Sequence, residues 1–177
     1  MKTRKTNNRS GLALRAAGYG ILIALALALS YLEAQLPVFF AVPGMKLGLT
    51  NIVVLLALYR MGNVSAMSVN VLRIVLVSLL FGGFSPMLYS LAGGMLSTAV
   101  MMLLKKTGRF SVIAVSIAGG VSHNIGQILV AVLVLNTAGI AWYLAVLWIT
   151  GMITGALIGL LGGLLIKRLP ETIFEKQ

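Results

Sequence analysis

The chain has 177 residues, of which 59% are hydrophobic and 10% charged, against roughly 45–50% and about 25% in a soluble domain. Those proportions exclude a soluble globular enzyme and a disordered tail, and they leave apolar length for several membrane spans. The net charge of +11 sits in short basic clusters between apolar blocks, the pattern of cytoplasmic loops, and excludes a nucleic-acid partner. Cysteine is absent, which excludes disulfides, zinc–thiolate sites and thiol catalysis. Aspartate is absent too, and Glu33, Glu171 and Glu175 are the only acids.

The basic start MKTRKTNNRSGLALR is followed by a long apolar stretch with no small-residue cleavage site after a short core. It reads as a cytoplasmic segment, residues 1–15, and a first span near Ala16–Gln35 rather than as a signal peptide. An apolar loop, LPVFFAVPG, leads to a second span near Pro43–Tyr59. The third is expected at Ser65–Phe81, the fourth at Phe84–Leu104, the fifth at Ser111–Leu135 and the sixth at Ala141–Ile166. Each is close to the roughly 17–25 residues that a spanning helix needs. A backbone in hydrocarbon must satisfy its own hydrogen bonds, so helices are expected throughout. The transmembrane domain is taken as residues 16–168 and the cytoplasmic tail as residues 169–177.

The cations test this count. With the N-terminus in the cytoplasm, Lys2, Arg4, Lys5, Arg9, Arg15, Arg60, Lys105, Lys106, Arg109, Lys167, Arg168 and Lys176 all fall inside. Only Lys46 and Arg73 of the 14 lysines and arginines do not. The outer loops near Leu36–Pro43, Gly82–Ser85 and Asn136–Ile140 contain none. The expectation is an all-α integral membrane protein of six transmembrane helices with both termini cytoplasmic.

Two spans carry small residues four apart, a spacing that makes a smooth face for another backbone. In span one these are Ala16, Gly20, Ala24 and Ala28; in span six, Gly151, Gly155, Gly159 and Gly163. Each row serves either packing within the chain or docking of another membrane subunit. A weaker row, Ser90, Gly94 and Thr98, lies in span four.

The remaining polar residues mark the candidate site. Arg73 falls near the middle of span three, where a charge costs on the order of 3 kcal/mol or more and normally faces a partner or a wet cavity. Lys46 lies near the outer end of span two, His123 about midway along span five with Asn124 beside it and Gln127 one turn on. Asn51 lies in span two, Asn70 in span three, and Glu33 at the outer end of span one. Lys46, Asn51, Arg73, His123 and Gln127 all fall at or above the midplane on the outer side. The expectation is one polar cavity opening outward, favouring an anion, with Glu33, Lys46, Asn51, Arg73, His123, Asn124 and Gln127 as ligand-binding residues. Structural alternatives stand beside each: an internal ion pair or carbonyl-bonded role for Arg73, snorkelling for Lys46, and helix–helix hydrogen bonds for His123 and the amides. One histidine does not make a metal site, and no metal or other cofactor is expected.

No catalytic motif is present. The chain has no GxxxxGK[ST] loop, no Asp for a Ser–His–Asp triad, no paired carboxylates for magnesium–diphosphate chemistry, and no haem or iron–sulfur ligands. It reads as a non-enzyme.

The strings PGMKLGLTNIVVLLAL (Pro43–Leu58), FGGFSPMLYSLAGG (Phe81–Gly94) and GGVSHNIGQILVA (Gly119–Ala131) resemble the Gx transporter family, also labelled heptaprenyl diphosphate synthase component I. The similarity runs over nearly all six spans. The family resembles the S components of energy-coupling factor (ECF) transporters, six-helix membrane proteins that bind a vitamin or similar micronutrient from outside. S components dock through alanine-rich faces of the first helix on a T component driven by two ATPases, and the row Ala16, Gly20, Ala24, Ala28 resembles that face. The resemblance implies an S-component-like bundle in the bacterial cytoplasmic membrane. It would bind a small, anionic ligand and have a T component and ATPase subunits as partners. Its alternative is an accessory membrane subunit of prenyl diphosphate or quinone synthesis, or of a flavin- or quinone-linked electron-transfer system.

Overall fold

Hydrocarbon offers no partner for a free backbone N–H or C=O, and every regular element among the described residues is a helix. The computed structural model describes residues 3–35 and 47–169. Helix α1 covers Thr3–Gln35, α2 Asn51–Leu56 with a π turn over Ala57–Met61, and α3 Asn63–Val77 with a π turn over Ser78–Gly82. Helix α4 covers Phe84–Thr107, α5 Val112–Leu135, and α6 Leu144–Arg168 after a 3₁₀ segment at Ala138–Tyr143.

Five of these are long and apolar enough to cross a membrane: α1 over Ala16–Glu33, α3 with its π turn, α4, α5 and α6. They match the first, third, fourth, fifth and sixth expected spans within a few residues. The second does not match in full. Its described helix has six α-helical residues and a five-residue π turn, about 16 Å, or half the roughly 30 Å of a hydrocarbon core. The helix cannot begin earlier in the described segment because Gly48 sits at φ 72°, in left-handed space. Residues 47–50 form a turn instead, closed by Asn51 N–H donating to the Gly48 carbonyl (2.8 Å).

This short helix is the hub of the bundle. Val53 to Leu58 are essentially inaccessible, and they pack with Leu22 and Ala26 of α1, Val69 of α3, Met101 of α4, Val115 of α5 and Ile158 of α6. Two glycines let the chain reverse without a loop. Gly62 (φ 103°) separates α2 from α3, and Gly83 (φ 89°) separates α3 from α4. Each N–H closes the preceding π turn, on the carbonyls of Ala57 (3.0 Å) and Ser78 (2.7 Å).

One end of the bundle gathers the basic residues. Arg60 donates to the carbonyls of Ile166 and Leu169 at the end of α6. Lys105 donates to the Leu58 carbonyl and lies over the Tyr59 ring, 4.9 Å from its centroid. Tyr19 Oη donates to Ser65 Oγ (2.8 Å), which brings the lower part of α1 to the start of α3. Helix C-termini present unpaired carbonyls and partial negative charge. Arg60 and Lys105, which read as loop cations in the sequence, therefore cap the ends of α6 and α2. Lys106, Lys167 and Arg168 occupy the last turns of α4 and α6 at the same end.

The span-six glycines face α5 within the chain. A Cβ added at Gly155 would stand 2.7 Å from Ile117 Cα, and one at Gly159 2.7 Å from Ile113 Cα. A Cβ at Gly120 of α5 would stand 2.6 Å from the Gly151 carbonyl oxygen. The span-one row has the opposite environment: Ala16, Gly20, Ala24 and Ala28 are all exposed, and nothing lies within 4 Å of a Cβ at Gly20.

Overpacking a closed interface costs roughly 1–3 kcal/mol. Gly120→Ala should therefore lower the thermal midpoint in detergent, while Gly20→Ala should leave it unchanged or slightly raised. Thermal unfolding followed by size-exclusion chromatography or circular dichroism checks both.

Candidate functional site

The helical repeat puts Asn70 and Arg73 on one face of α3, and that face is turned inward. Arg73 is 8% exposed and Asn70 1%. Arg73 Nε donates to Asn70 Oδ1 (2.9 Å), Nη1 to Thr50 Oγ1 (2.6 Å) and Nη2, at a longer 3.4 Å, to Asn51 Oδ1. Asn70 uses its amide nitrogen on the other side, donating to the Gly94 carbonyl (2.8 Å) and Thr98 Oγ1 (2.7 Å) of α4. The weak row in span four is thus the surface that receives Asn70: a Cβ at Gly94 would stand 3.0 Å from Asn70 Nδ2.

Glu33 enters one step removed. Its Oε1 accepts the backbone N–H of Gly48 at 2.6 Å, in the turn that leads to Thr50 and Asn51. Its charge acts on Arg73 through space, but the oxygens bonded to the guanidinium belong to neutral side chains.

His123 and Gln127 share a neighbour, Gly93 of α4. A Cβ there would stand 3.2 Å from the His123 ring and 3.0 Å from Gln127 Cγ. They therefore flank the α4 residue next to Gly94, while Arg73 and Asn51 lie on the α3 side of it. Asn124 is placed elsewhere: it donates to the Leu147 carbonyl of α6 at 2.6 Å, which is a helix–helix contact and separates it from the Arg73 group. Lys46 lies outside the described residues. An open depression lined by Leu79, Phe81, Phe84 and Met87 at the turn from α3 to α4 is formed by other residues than these.

The chemistry of the Arg73 group is specific. A guanidinium has five N–H donors in a planar fork. Three are engaged, all by neutral oxygen acceptors, and two have no partner among the described residues. No carboxylate contacts it among the described residues. A fixed cation with spare donors suits a carboxylate or phosphate oxygen.

The profile of the family described as heptaprenyl diphosphate synthase component I matches residues 22–165. The chain belongs to this family. The matched range runs from the middle of α1 into the last turn of α6 and contains every residue of the candidate site. No curated protein and no solved structure matches the chain.

In this family member Thr50 carries no signal in the sequence, and Thr98 stands out only as the last member of the weak small-residue row in span four. Isolated threonines in apolar helices carry little signal, although Thr50 precedes Asn51 directly in the LGLTN segment. Asn70 appeared as helix glue, and it serves both that purpose and the orientation of Arg73.

Removing Asn70 leaves Arg73 Nε without its acceptor and takes one of two side-chain donors from the Gly94 carbonyl, which keeps Thr98 Oγ1; an orphaned buried group costs about 1–3 kcal/mol. Asn70→Ala should therefore destabilise the bundle more than Thr98→Val, which leaves the Asn70–Gly94 bond in place. Thermal melts of the two variants in one detergent test that order.

Proposed function

We propose that this protein is the substrate-binding membrane subunit of an ECF-like micronutrient importer, with both termini in the cytoplasm and the Arg73 group binding an anionic part of the ligand. The observation that carries the proposal is the buried guanidinium that, among the described residues, is held by neutral oxygens and has two donors to spare. Placing a charge inside a membrane bundle is costly, and spare donors on a buried guanidinium suit an incoming carboxylate or phosphate oxygen. In this reading Arg73 is the anion contact, Asn51 orients it, and His123 and Gln127 supply hydrogen bonds from the α4–α5 side. Lys46 adds a second cation. The chain performs no chemistry; the energy for release comes from a T component and its ATPases. The exposed row Ala16, Gly20, Ala24 and Ala28 supports docking of that partner on α1, the least buried of the five spanning helices.

The description of the family favours one other reading, an accessory subunit for prenyl diphosphate synthesis. A diphosphate is also an anion that a guanidinium fork accepts. The absence of Asp would then assign the magnesium-dependent step to the partner.

Native mass spectrometry of the purified protein, with a thermal-shift panel of vitamins and prenyl diphosphates, separates the two readings. Arg73→Gln should weaken binding roughly 30-fold or more with the fold retained. If no compound co-purifies and none shifts the melt, the binding proposal fails. On the docking face, Gly20→Leu with Ala24→Leu should abolish co-purification with a T component and leave ligand binding unchanged.

A further inference from the structure

The path from α1 to Arg73 is continuous and short. Glu33 Oε1 holds the Gly48 N–H at 2.6 Å. The Gly48 carbonyl in turn accepts from Asn51 N–H at 2.8 Å, and Thr50 accepts Val53 N–H on its carbonyl at 3.1 Å. Thr50 and Asn51 then present their side-chain oxygens to the two ends of the guanidinium. Gly48 stands at φ 72°, and its Cβ position lies 3.6 Å from Asn51 Nδ2, so the turn is in van der Waals contact with the residue it positions. We propose that Glu33 is a positioning residue: it latches the outer end of α1 to the Gly48 turn and thereby holds Thr50 and Asn51 on Arg73.

The sequence places Glu33 among the candidate ligand contacts, and in the structure its Oε1 accepts the Gly48 N–H. The Glu33 side chain reaches from α1 to the Gly48 N–H through an acceptor oxygen set at one distance, whereas the stretch Ala16–Glu33 is the least buried of the five spanning segments. Displacing α1 therefore pulls first on this bond and loosens the site through it. The coupling rests on the reading of Arg73 as the ligand contact, but the latch itself does not.

Two substitutions separate reach from charge. Glu33→Gln keeps the length and an acceptor oxygen and loses the charge. Glu33→Asp keeps the charge and shortens the reach by one methylene. The chain has no cysteine, so Leu47→Cys, which is half-buried beside the turn, reports alone. In purified protein in detergent, the rate of labelling by a hydrophilic maleimide measures how often the turn opens. The latch predicts that Glu33→Gln labels within about threefold of the parent and Glu33→Asp about tenfold or more faster. Fast labelling of Glu33→Gln, or parental labelling of Glu33→Asp, overturns the proposal. Neither readout needs a ligand. A failed latch with intact Arg73-dependent binding therefore leaves the importer reading standing, and the reverse result leaves the latch.

Discussion

A permanent positive charge inside a hydrocarbon-spanning bundle has to be answered by the chain around it, and the interior of this protein is organised by that requirement. Arg73 sits on α3 with only 8% of its surface exposed, inside a helix long and apolar enough to span a membrane. Its answer comes from three elements at once: Asn70 on its own helix, and Thr50 and Asn51 from the turn and first residue of α2. Asn70 then ties the group to α4 through Gly94 and Thr98. Among the described residues the hydrogen bonds to the guanidinium come from neutral dipoles, with the Glu33 carboxylate one step removed.

The shape of α2 follows from the same requirement. The described helix begins at Asn51, preceded by a left-handed glycine, and this brings a turn to the depth of the guanidinium. Irregular backbone at membrane depth persists where protein encloses it or where it lines a cavity. Its N–H and C=O groups are met here by Glu33 and Asn51. The price is a helix too short to span alone, and the other five helices enclose it.

Close backbone approach sets the remaining packing. Apolar side chains gain nothing from leaving lipid for protein, so helices in a membrane associate through small residues and fitted surfaces. The α5–α6 interface uses glycine on both sides, and the span-six row is consumed there. The similar row on α1 remains open. Two rows with one spacing thus have opposite environments, because spacing describes a face and not its neighbour.

The sequence alone determined the solvent, the elements and their order. Hydropathy and length located five spanning helices within a few residues, since an unbroken apolar run of that length can pair its backbone in lipid only within itself, as a helix. It also marked Arg73 and Asn51, because an ionisable or amide group is conspicuous among aliphatic neighbours. Tertiary structure alone decided who meets whom. It brought Thr50 and Thr98 into the Arg73 network and turned Asn124 to α6. It set Glu33 on a backbone N–H and moved Arg60 and Lys105 from loop charges to helix caps. A residue's depth follows from its position in a span. The direction in which it faces depends on helix rotation and packing, which are fixed by contacts between residues far apart in the chain.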